Sequence, residues 1–259
     1  NKHVELGNAL VDMYAKCCEL EKAEEVFDEL CVRDIVSWNV LIAGYVQRGE
    51  GSKAITCFKR MQCDHFLPNT ITFICILKAC SSTGSLHTGE QIHSEIVSER
   101  LIGKVLELDT ALVDMYAKCG QLEKAQKVLK GLPIRDVASW NALISGYSQH
   151  RFGQEALNLF EQMQNDGLSP NAITFVSLLK ACGSVGAVEK GIEIHNEIMS
   201  KRLLEDNIEL GNTLVDMYAI WGKLEKAQKT FNDLLVRDVV SLNACISGYM
   251  PASFLMNYC

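Results

Sequence analysis

The chain has 259 residues, 48% of them hydrophobic, and a formal net charge of −7. This apolar content indicates a folded protein, and no apolar run reaches the ~18 residues of a membrane span, so no membrane partner is predicted. Nucleic-acid-binding proteins are more often basic, so the acidic balance argues against RNA binding through a general electrostatic surface.

The first predicted elements are two helices joined by a short turn. Apolar residues in 10–18 follow each other at i, i+1, i+3, i+4, i+7 and i+8, which is one face of an amphipathic helix, and a second apolar face lies in 23–30. Two further helix pairs are predicted in 38–61 and 73–96. Turns are predicted at 49–51, 67–69 and 81–84.

This series of helices repeats along the chain. Residues 10–17 recur as 112–119, an offset of 112 − 10 = 102 residues, and again in altered form as 214–221. A fixed period is typical of a repeat array, in which each helical hairpin has an apolar face that only the next hairpin covers. The sequence therefore predicts an all-α fold, a right-handed α-solenoid of stacked helix-turn-helix repeats.

The period divides into three units of unequal length, and a partial unit and a non-repeat tail follow the last full unit. We expect the partial unit to be frayed or poorly packed, because its apolar face has no partner helix. The units are 4–34, 35–69, 70–105, 106–136, 137–171, 172–207 and 208–238, followed by the partial unit 239–249 and the tail 250–259.

Three motifs are specific to this pattern: Ser-Trp-Asn-Ala-Leu-Ile-Ser-Gly-Tyr at 139–147, Thr-Phe-x-x-x-Leu-Lys-Ala-Cys at 72–80, and Leu-Val-Asp-Met-Tyr-Ala-Lys-Cys-Gly at 112–120. With the triplet of unequal units, they resemble the plant pentatricopeptide repeat proteins of the PLS subclass. In the family's terms, each triplet is an S, a P and an L unit in that order, beginning with S at 4–34. We expect a fragment of a mitochondrial or chloroplast protein, without a targeting segment and without the family's C-terminal extension and deaminase-like domains.

The resemblance implies sequence-specific binding of single-stranded RNA, about one base per repeat, in organellar RNA processing or C-to-U editing. In the family, the fifth and last residues of a unit discriminate between bases, and family usage here implies the target 5′-U-Y-n-G-Y-n-U-3′. The L-unit pairs, Ile74 with Val105 and Val176 with Asn207, imply no clear base. The implied pairs are Asn8 with Asp34, Asn39 with Asn69, Thr110 with Asp136, Asn141 with Asn171 and Asn212 with Asp238, and Asn243 opens a further one.

Each of these polar residues has a structural alternative. Asp and Asn at the ends of units also suit the N-caps of the helices that follow, and both roles can coexist. Lys16 and Lys118 lie where the family often contacts RNA phosphate, although a solvated helix end is the other interpretation and Ile220 interrupts the series. The second residue of a unit is normally apolar and sandwiches a base. In the S units it is glutamate, which we expect to weaken their contact with RNA.

No catalytic residues, cofactor, metal site or small-molecule substrate are predicted, so the protein is not expected to be an enzyme. His93 and His195 each begin a His-x-Glu sequence of the zinc deaminase type, but the Pro-Cys-x-x-Cys that such a site needs is absent, and we expect both to pack within helices. Most of the 11 cysteines are expected to be buried free thiols. Two alternatives to RNA binding stay open: a scaffold for small RNA-editing accessory proteins, and an inactive fragment.

Overall fold

The computed structural model describes residues 2–205, 207–234 and 237–249, and within these ranges the chain is helical throughout, without strands. The predicted all-α class is therefore confirmed. No helix in these ranges has both the length and the apolar character needed to cross a membrane. The predicted tail at 250–259 lies outside the described residues. The helices are α1 Lys2–Lys16, α2 Leu20–Glu29, α3 Ile35–Gln47, α4 Gly51–Cys63, α5 Thr70–Thr83, α6 Leu86–Ser98, α7 Leu106–Lys118, α8 Leu122–Gly131, α9 Val137–Gln149, α10 Gly153–Asn165, α11 Ala172–Val185, α12 Val188–Ser200, α13 Ile208–Ile220, α14 Leu224–Asp233 and α15 Val239–Tyr249.

The helices form two compact units, Asn1–Arg135 and Asp136–Cys259. In the first, the odd-numbered helices α1, α3, α5 and α7 pack one against the next, and each also packs against the even-numbered helix that follows it. In the second, α9, α11, α13 and α15 form the same kind of row, with α10, α12 and α14 as their hairpin partners. Each unit therefore has a layer made of the first helices of its hairpins.

Polar N-caps begin several odd-numbered helices. At Asp34, Oδ1 accepts a hydrogen bond from the backbone N–H of Ser37 at 2.9 Å, and Ser37 Oγ accepts one from the backbone N–H of Asp34 at 3.2 Å. These reciprocal bonds satisfy donors that a helix N-terminus leaves free. The capping role proposed for these residues is therefore confirmed. The same capping box is formed at Asn69, Asp136 and Asn171.

Left-handed residues follow several of the helices. Gly84 has φ +67° and follows α5, which continues to Thr83, so the turn predicted at 81–84 was wrong for its first three residues. The Thr83 hydroxyl donates to the carbonyl of Ala79 at 2.8 Å, which keeps its polar group paired inside the last helical turn. At the end of α7 the left-handed residue is Gly120, as its sequence predicts, whereas the equivalent position after α1 is Cys18, with φ +68°.

The cysteines are less uniformly buried than predicted. Nine cysteines whose side chains the structure describes are free thiols, and among them Cys57, Cys80 and Cys182 are buried in apolar surroundings. Burial raises the pKa of the Cys57 thiol to about 12. The expectation of burial was wrong for four others, which are exposed because they lie on outer helix faces or after helix ends. These are Cys17, Cys18, Cys31 and Cys63.

Candidate nucleic-acid interface

The fifth residue of each P unit lies in the second turn of an odd-numbered helix and is held by two hydrogen bonds. Asn39 Nδ2 donates to Asn69 Oδ1 at 3.1 Å, and Thr72 Oγ1 donates to Asn39 Oδ1 at 2.7 Å. Asn69 is the N-cap of the next first helix, α5. The structure thus brings together the predicted pair of fifth and last residues.

The same arrangement occurs independently in the second compact unit. Asn141 Nδ2 donates to Asn171 Oδ1 at 3.0 Å, and Thr174 Oγ1 donates to Asn141 Oδ1 at 2.7 Å. Asn141 is only 5% exposed and Asn39 only 7%. The side-chain amides of Asn39 and Asn141 are therefore almost fully buried and fixed in orientation. The cap asparagines, Asn69 and Asn171, are more accessible. Each pair can offer N–H donors to the edge of an unpaired base.

The S-unit pairs have a carboxylate in place of the second amide. Asn212 Nδ2 donates to both carboxylate oxygens of Asp238, at 3.1 and 3.2 Å, and Asn8 Nδ2 contacts Asp34 Oδ1 at 3.4 Å. Burial raises the pKa of Asp34, but hydrogen bonds from Ser37 and Asn8 outweigh it and lower the pKa overall. Each such pair therefore presents an ionised, acceptor-only group at neutral pH.

The S-unit asparagines also lack the threonine contact of the P units. Within the described residues, Oδ1 of Asn8 and Oδ1 of Asn212 are buried without a hydrogen-bond partner. The nearby serine hydroxyl turns elsewhere, since Ser37 Oγ donates to Asp34 Oδ1 at 3.0 Å. The side-chain oxygens of the S-unit asparagines therefore lack the hydrogen bond that fixes those of the P units.

The remaining predicted positions are of two other kinds. Thr110 is half-buried on α7, while Asp136 belongs to the other compact unit, so their pairing stays a prediction. In the L units the fifth residues Ile74 and Val176 are buried, and Asn207 Nδ2 donates to the carbonyl of Leu203 at 2.8 Å. An L-unit fifth residue thus presents no polar group for a base edge.

A cavity of about 750 Å³ in the second compact unit is lined by one of the polar pairs and by residues next to it. Asn212 and Asp238 line it, as do Asn243 and the apolar side chain of Val240. Its volume lies within the range of small-molecule sites, and most of its lining residues are polar or charged, with Ile208, Val240 and Ala244 as the apolar part.

The second residues of the P and L units are exposed apolar side chains. Ile71 is 57% exposed and Ile173 62%. A projecting aliphatic side chain of this kind can pack against the face of a nucleobase. The others are Val36 and Val240, which are also more than half exposed, and the small, exposed Ala138, whereas the S units have Glu5, Glu107 and Glu209 at this position.

The two predicted phosphate-binding lysines each form an ion pair within their own helix. Lys16 Nζ lies 2.6 Å from Asp12 Oδ2, and Lys118 Nζ lies 3.0 Å from Asp114 Oδ2. Exposed i,i+4 pairs of this kind contribute only a few tenths of a kcal/mol, roughly 0.3–0.5, so they leave both lysines free to exchange partners. Their role in phosphate binding stays a prediction.

The two His-x-Glu histidines pack within the helical layers. His93 Nδ1 lies 2.8 Å from the Tyr116 hydroxyl, and His195 Nδ1 lies 2.7 Å from the Tyr218 hydroxyl. Among the described residues, no three His, Cys, Asp or Glu side chains are grouped so that they could hold a metal ion.

Thr72 and Thr174 are site residues that the sequence analysis missed. Each is the third residue after its N-cap, in the sequence Asn-x-x-Thr, so the sequence predicts the capping box. The bond from the same hydroxyl back to Asn39 or Asn141, 33 residues earlier, depends on how consecutive hairpins stack.

Models of two PPR repeat families match most of the chain. One, described as the PPR repeat family, matches residues 33–82 and 135–184. The other, described as PPR repeat, matches 8–35, 110–136, 173–203 and 212–239.

Two curated proteins of Arabidopsis thaliana are among the similar sequences. The chloroplastic pentatricopeptide repeat-containing protein At4g18520 is 41% identical over 241 residues, which cover 93% of this chain and 39% of that protein. The mitochondrial pentatricopeptide repeat-containing protein At2g22410 is 36% identical over 272 residues, covering 93% and 40% respectively. The chain thus spans about two fifths of the length of these relatives.

Solved structures show the same fold. The crystal structure of the pentatricopeptide repeat protein PPR10 in complex with an 18-nucleotide psaJ RNA element superposes with a TM-score of 0.74 at 20% identity, covering 95% of this chain and 37% of that one. The structure of PPR10 from maize gives a TM-score of 0.66 at 20% identity, covering 92% and 36%. The predicted solenoid of helical repeats is therefore confirmed.

Proposed function

This chain belongs to the pentatricopeptide repeat family, and we propose that it binds single-stranded RNA in a sequence-specific manner, with about one base per helical repeat. The observation that supports this most is the recurrence of the amide pair. Asn39 with Asn69 and Asn141 with Asn171 have the same hydrogen-bond geometry in two separate compact units. The PPR10 structure that shares this fold contains RNA.

In this mechanism the side chains select bases without any chemical reaction. The fifth and last residues of a unit contact one base edge, and the exposed apolar second residue packs on the base face. Single-stranded RNA exposes these edges, whereas a duplex hides them. The S-unit pairs Asn8–Asp34 and Asn212–Asp238 take uracil, the P-unit pairs take either pyrimidine, and Thr110 with Asp136 takes guanine, which gives the target 5′-U-Y-n-G-Y-n-U-3′.

We further propose that the chain is a PLS-type member that acts in a chloroplast or mitochondrion. Its relatives are named as chloroplastic or mitochondrial. The role would be to place RNA-processing or C-to-U editing machinery near a cytidine, with no catalysis by this chain. Lys16 and Lys118 contribute phosphate contacts in this proposal, which partly offset the net charge of −7.

A gel-shift experiment tests this proposal with a U-Y-n-G-Y-n-U oligonucleotide and a scrambled strand of the same composition. We expect the double variant Asn39→Ala/Asn141→Ala to bind the target at least tenfold more weakly, since each lost polar contact to a base costs about 1–3 kcal/mol. Asn158→Ala is the matched control, because Asn158 is exposed on the even-numbered helix α10. Equal binding of the target and scrambled strands by the unaltered protein would contradict the proposal.

A second candidate function is a scaffold for small RNA-editing accessory proteins. Val97 on α6 and Met199 on α12 occupy equivalent positions of the two L units and are 51% and 49% exposed. Such recurring apolar side chains suit a protein partner. The same gel shift separates the candidates, because a scaffold without RNA recognition shows no preference between the two strands.

A further inference from the structure

Two ion pairs join the first helix of each L unit to the first helix of the following S unit. Lys78 Nζ on α5 lies 3.3 Å from Glu107 Oε1 on α7, and Lys180 Nζ on α11 lies 3.4 Å from Glu209 Oε1 on α13. The same contact thus recurs in both compact units. Unlike the pairs of Lys16 and Lys118, these connect two different helices.

The glutamates of these pairs occupy the second position of their units, where the P and L units have exposed apolar residues. Glu107 and Glu209 side chains are 67% and 74% exposed, and those of Lys78 and Lys180 are about half exposed. The glutamates therefore lie at positions equivalent to the apolar residues proposed to pack on bases, and their lysine partners lie within 3.4 Å of them. The carboxylates of Glu107 and Glu209 can rotate into solvent without disturbing a packed core.

Lys180 is also part of the cavity around the polar pair of the third S unit. It lines the same cavity of about 750 Å³ as Asn212 and Asp238, and Glu209 lines it too. Lys180 therefore lies beside the two groups that are proposed to hold a base. An ammonium group at this position suits a phosphate, whereas a carboxylate repels it.

We propose that Lys78 and Lys180 bind RNA phosphates. Without RNA, these lysines form ion pairs with Glu107 and Glu209, and the phosphates replace the carboxylates when RNA binds. This inference rests on the proposed function. An exposed ion pair is weak, so exchanging a carboxylate for a phosphate on the same ammonium group needs little free energy. The glutamates therefore weaken RNA binding in two ways, because each repels phosphate and also competes with it for a lysine.

The test compares the salt dependence of RNA binding by the full chain and by two double variants. Lys78→Gln/Lys180→Gln removes both proposed phosphate contacts, and Glu107→Gln/Glu209→Gln removes both competitors. Lys190→Gln is the matched control for charge, since Lys190 pairs with Glu193 at 3.0 Å on the even-numbered helix α12. Each protein is titrated with U-Y-n-G-Y-n-U RNA and with the scrambled strand between about 50 and 200 mM salt.

We expect the lysine double variant to bind both strands more weakly and to have a shallower salt slope, by about 1.4, or ~0.7 for each lost phosphate contact of a single strand. Over a fourfold change in salt, this slope difference corresponds to about a sevenfold smaller loss of affinity than in the unaltered chain. Glu107→Gln/Glu209→Gln should bind RNA about fivefold more tightly than the unaltered chain, with the same dependence on salt concentration. Lys190→Gln should leave the slope unchanged.

Two results overturn the inference while the proposed function stands. One is an unchanged slope in the lysine double variant, and the other is unchanged or weaker binding in the glutamate double variant, in each case with target preferred over scrambled RNA. Loss of that preference in the unaltered chain contradicts the proposed function itself, so the two failures are distinguishable.

Discussion

Asn39 and Asn69, 30 residues apart in the chain, are joined by a hydrogen bond of 3.1 Å from Asn39 Nδ2 to Asn69 Oδ1. That same oxygen accepts the backbone N–H of Thr72 at 3.1 Å and so caps helix α5. Capping and base recognition are therefore not competing explanations for Asn69. The cap fixes the oxygen, and the fixed oxygen orients the amide of Asn39 in the preceding unit.

Substitutions of Asn69 can separate these two roles. Asn69→Asp keeps a capping oxygen and places a negative charge at a helix N-terminus, so stability should stay the same or rise slightly. The proposed recognition scheme then expects the second base to change from either pyrimidine to uracil. Asn69→Ala should lower the free energy of unfolding by about 1 kcal/mol through loss of the cap. Urea unfolding and gel shifts with U or C at that base measure both effects. A changed preference at a different base would contradict the scheme.

The periodic sequence was sufficient to predict the helical hairpins and the N-caps, whereas the pairing of Asn39 with Asn69 was implied only by the family resemblance. The hairpins and N-caps depend on local capping motifs and on an offset that repeats without insertions. It was not sufficient to predict contacts between side chains of successive hairpins, such as Thr72 with Asn39 or Lys78 with Glu107. Those depend on how two helices pack, and a helical periodicity gives only the face of each residue.

Thr110→Asn tests base assignment at the fourth position. Threonine offers a hydroxyl and asparagine an amide. In the proposed scheme, threonine at this position selects guanine together with Asp136, whereas asparagine selects uracil. The variant should bind an RNA with uracil at the fourth base more tightly than one with guanine, which reverses the order expected for the unaltered chain. Four oligonucleotides that differ only at this base measure it. Thr56→Asn, on the exposed side of α4, is the control, and an unchanged order in Thr110→Asn would refute the pairing scheme.

Thr72→Val tests the bond that the sequence did not reveal. The Thr72 side chain is fully buried, and its hydroxyl donates to Asn39 Oδ1 and accepts from the Asn69 backbone N–H at 3.1 Å. Valine preserves the shape but leaves two polar groups unpaired, so the free energy of unfolding should fall by about 2 kcal/mol. Thr56→Val removes an exposed hydroxyl bonded to Ser52 and should change it by less than ~0.5 kcal/mol. Equal effects of the two variants in urea unfolding would show that the Thr72 network contributes nothing specific.

Cys18→Gly should stabilise the protein. Cys18 has φ +68°, a left-handed conformation that is unfavourable for a residue with a side chain, and Gly120 and Gly222 occupy the equivalent positions with φ +75° and +66°. Relief of this strain exceeds the entropy cost of glycine, for a net gain of about 0.5–1 kcal/mol. Thermal unfolding of Cys18→Gly and of Cys17→Gly, its neighbour outside the left-handed region, measures the difference. The expectation fails if Cys17→Gly is stabilised as much.

The half-buried histidines His93 and His195 should make stability depend on pH near neutrality. Burial lowers the pKa of His93 and of His195 below the usual value near 6.5. Below that value the unfolded chain binds more protons than the folded chain, so the free energy of unfolding falls as the pH drops from 7 through the folded-state pKa values. His93→Gln/His195→Gln keeps an amide near the Tyr116 and Tyr218 hydroxyls but removes both titrating groups. The melting temperature of this variant should therefore change less between pH 7 and 5 than that of the unaltered chain. His87→Gln, at an exposed position, should leave the slope in place because both half-buried histidines remain. A slope that persists in the double variant would assign it to other groups.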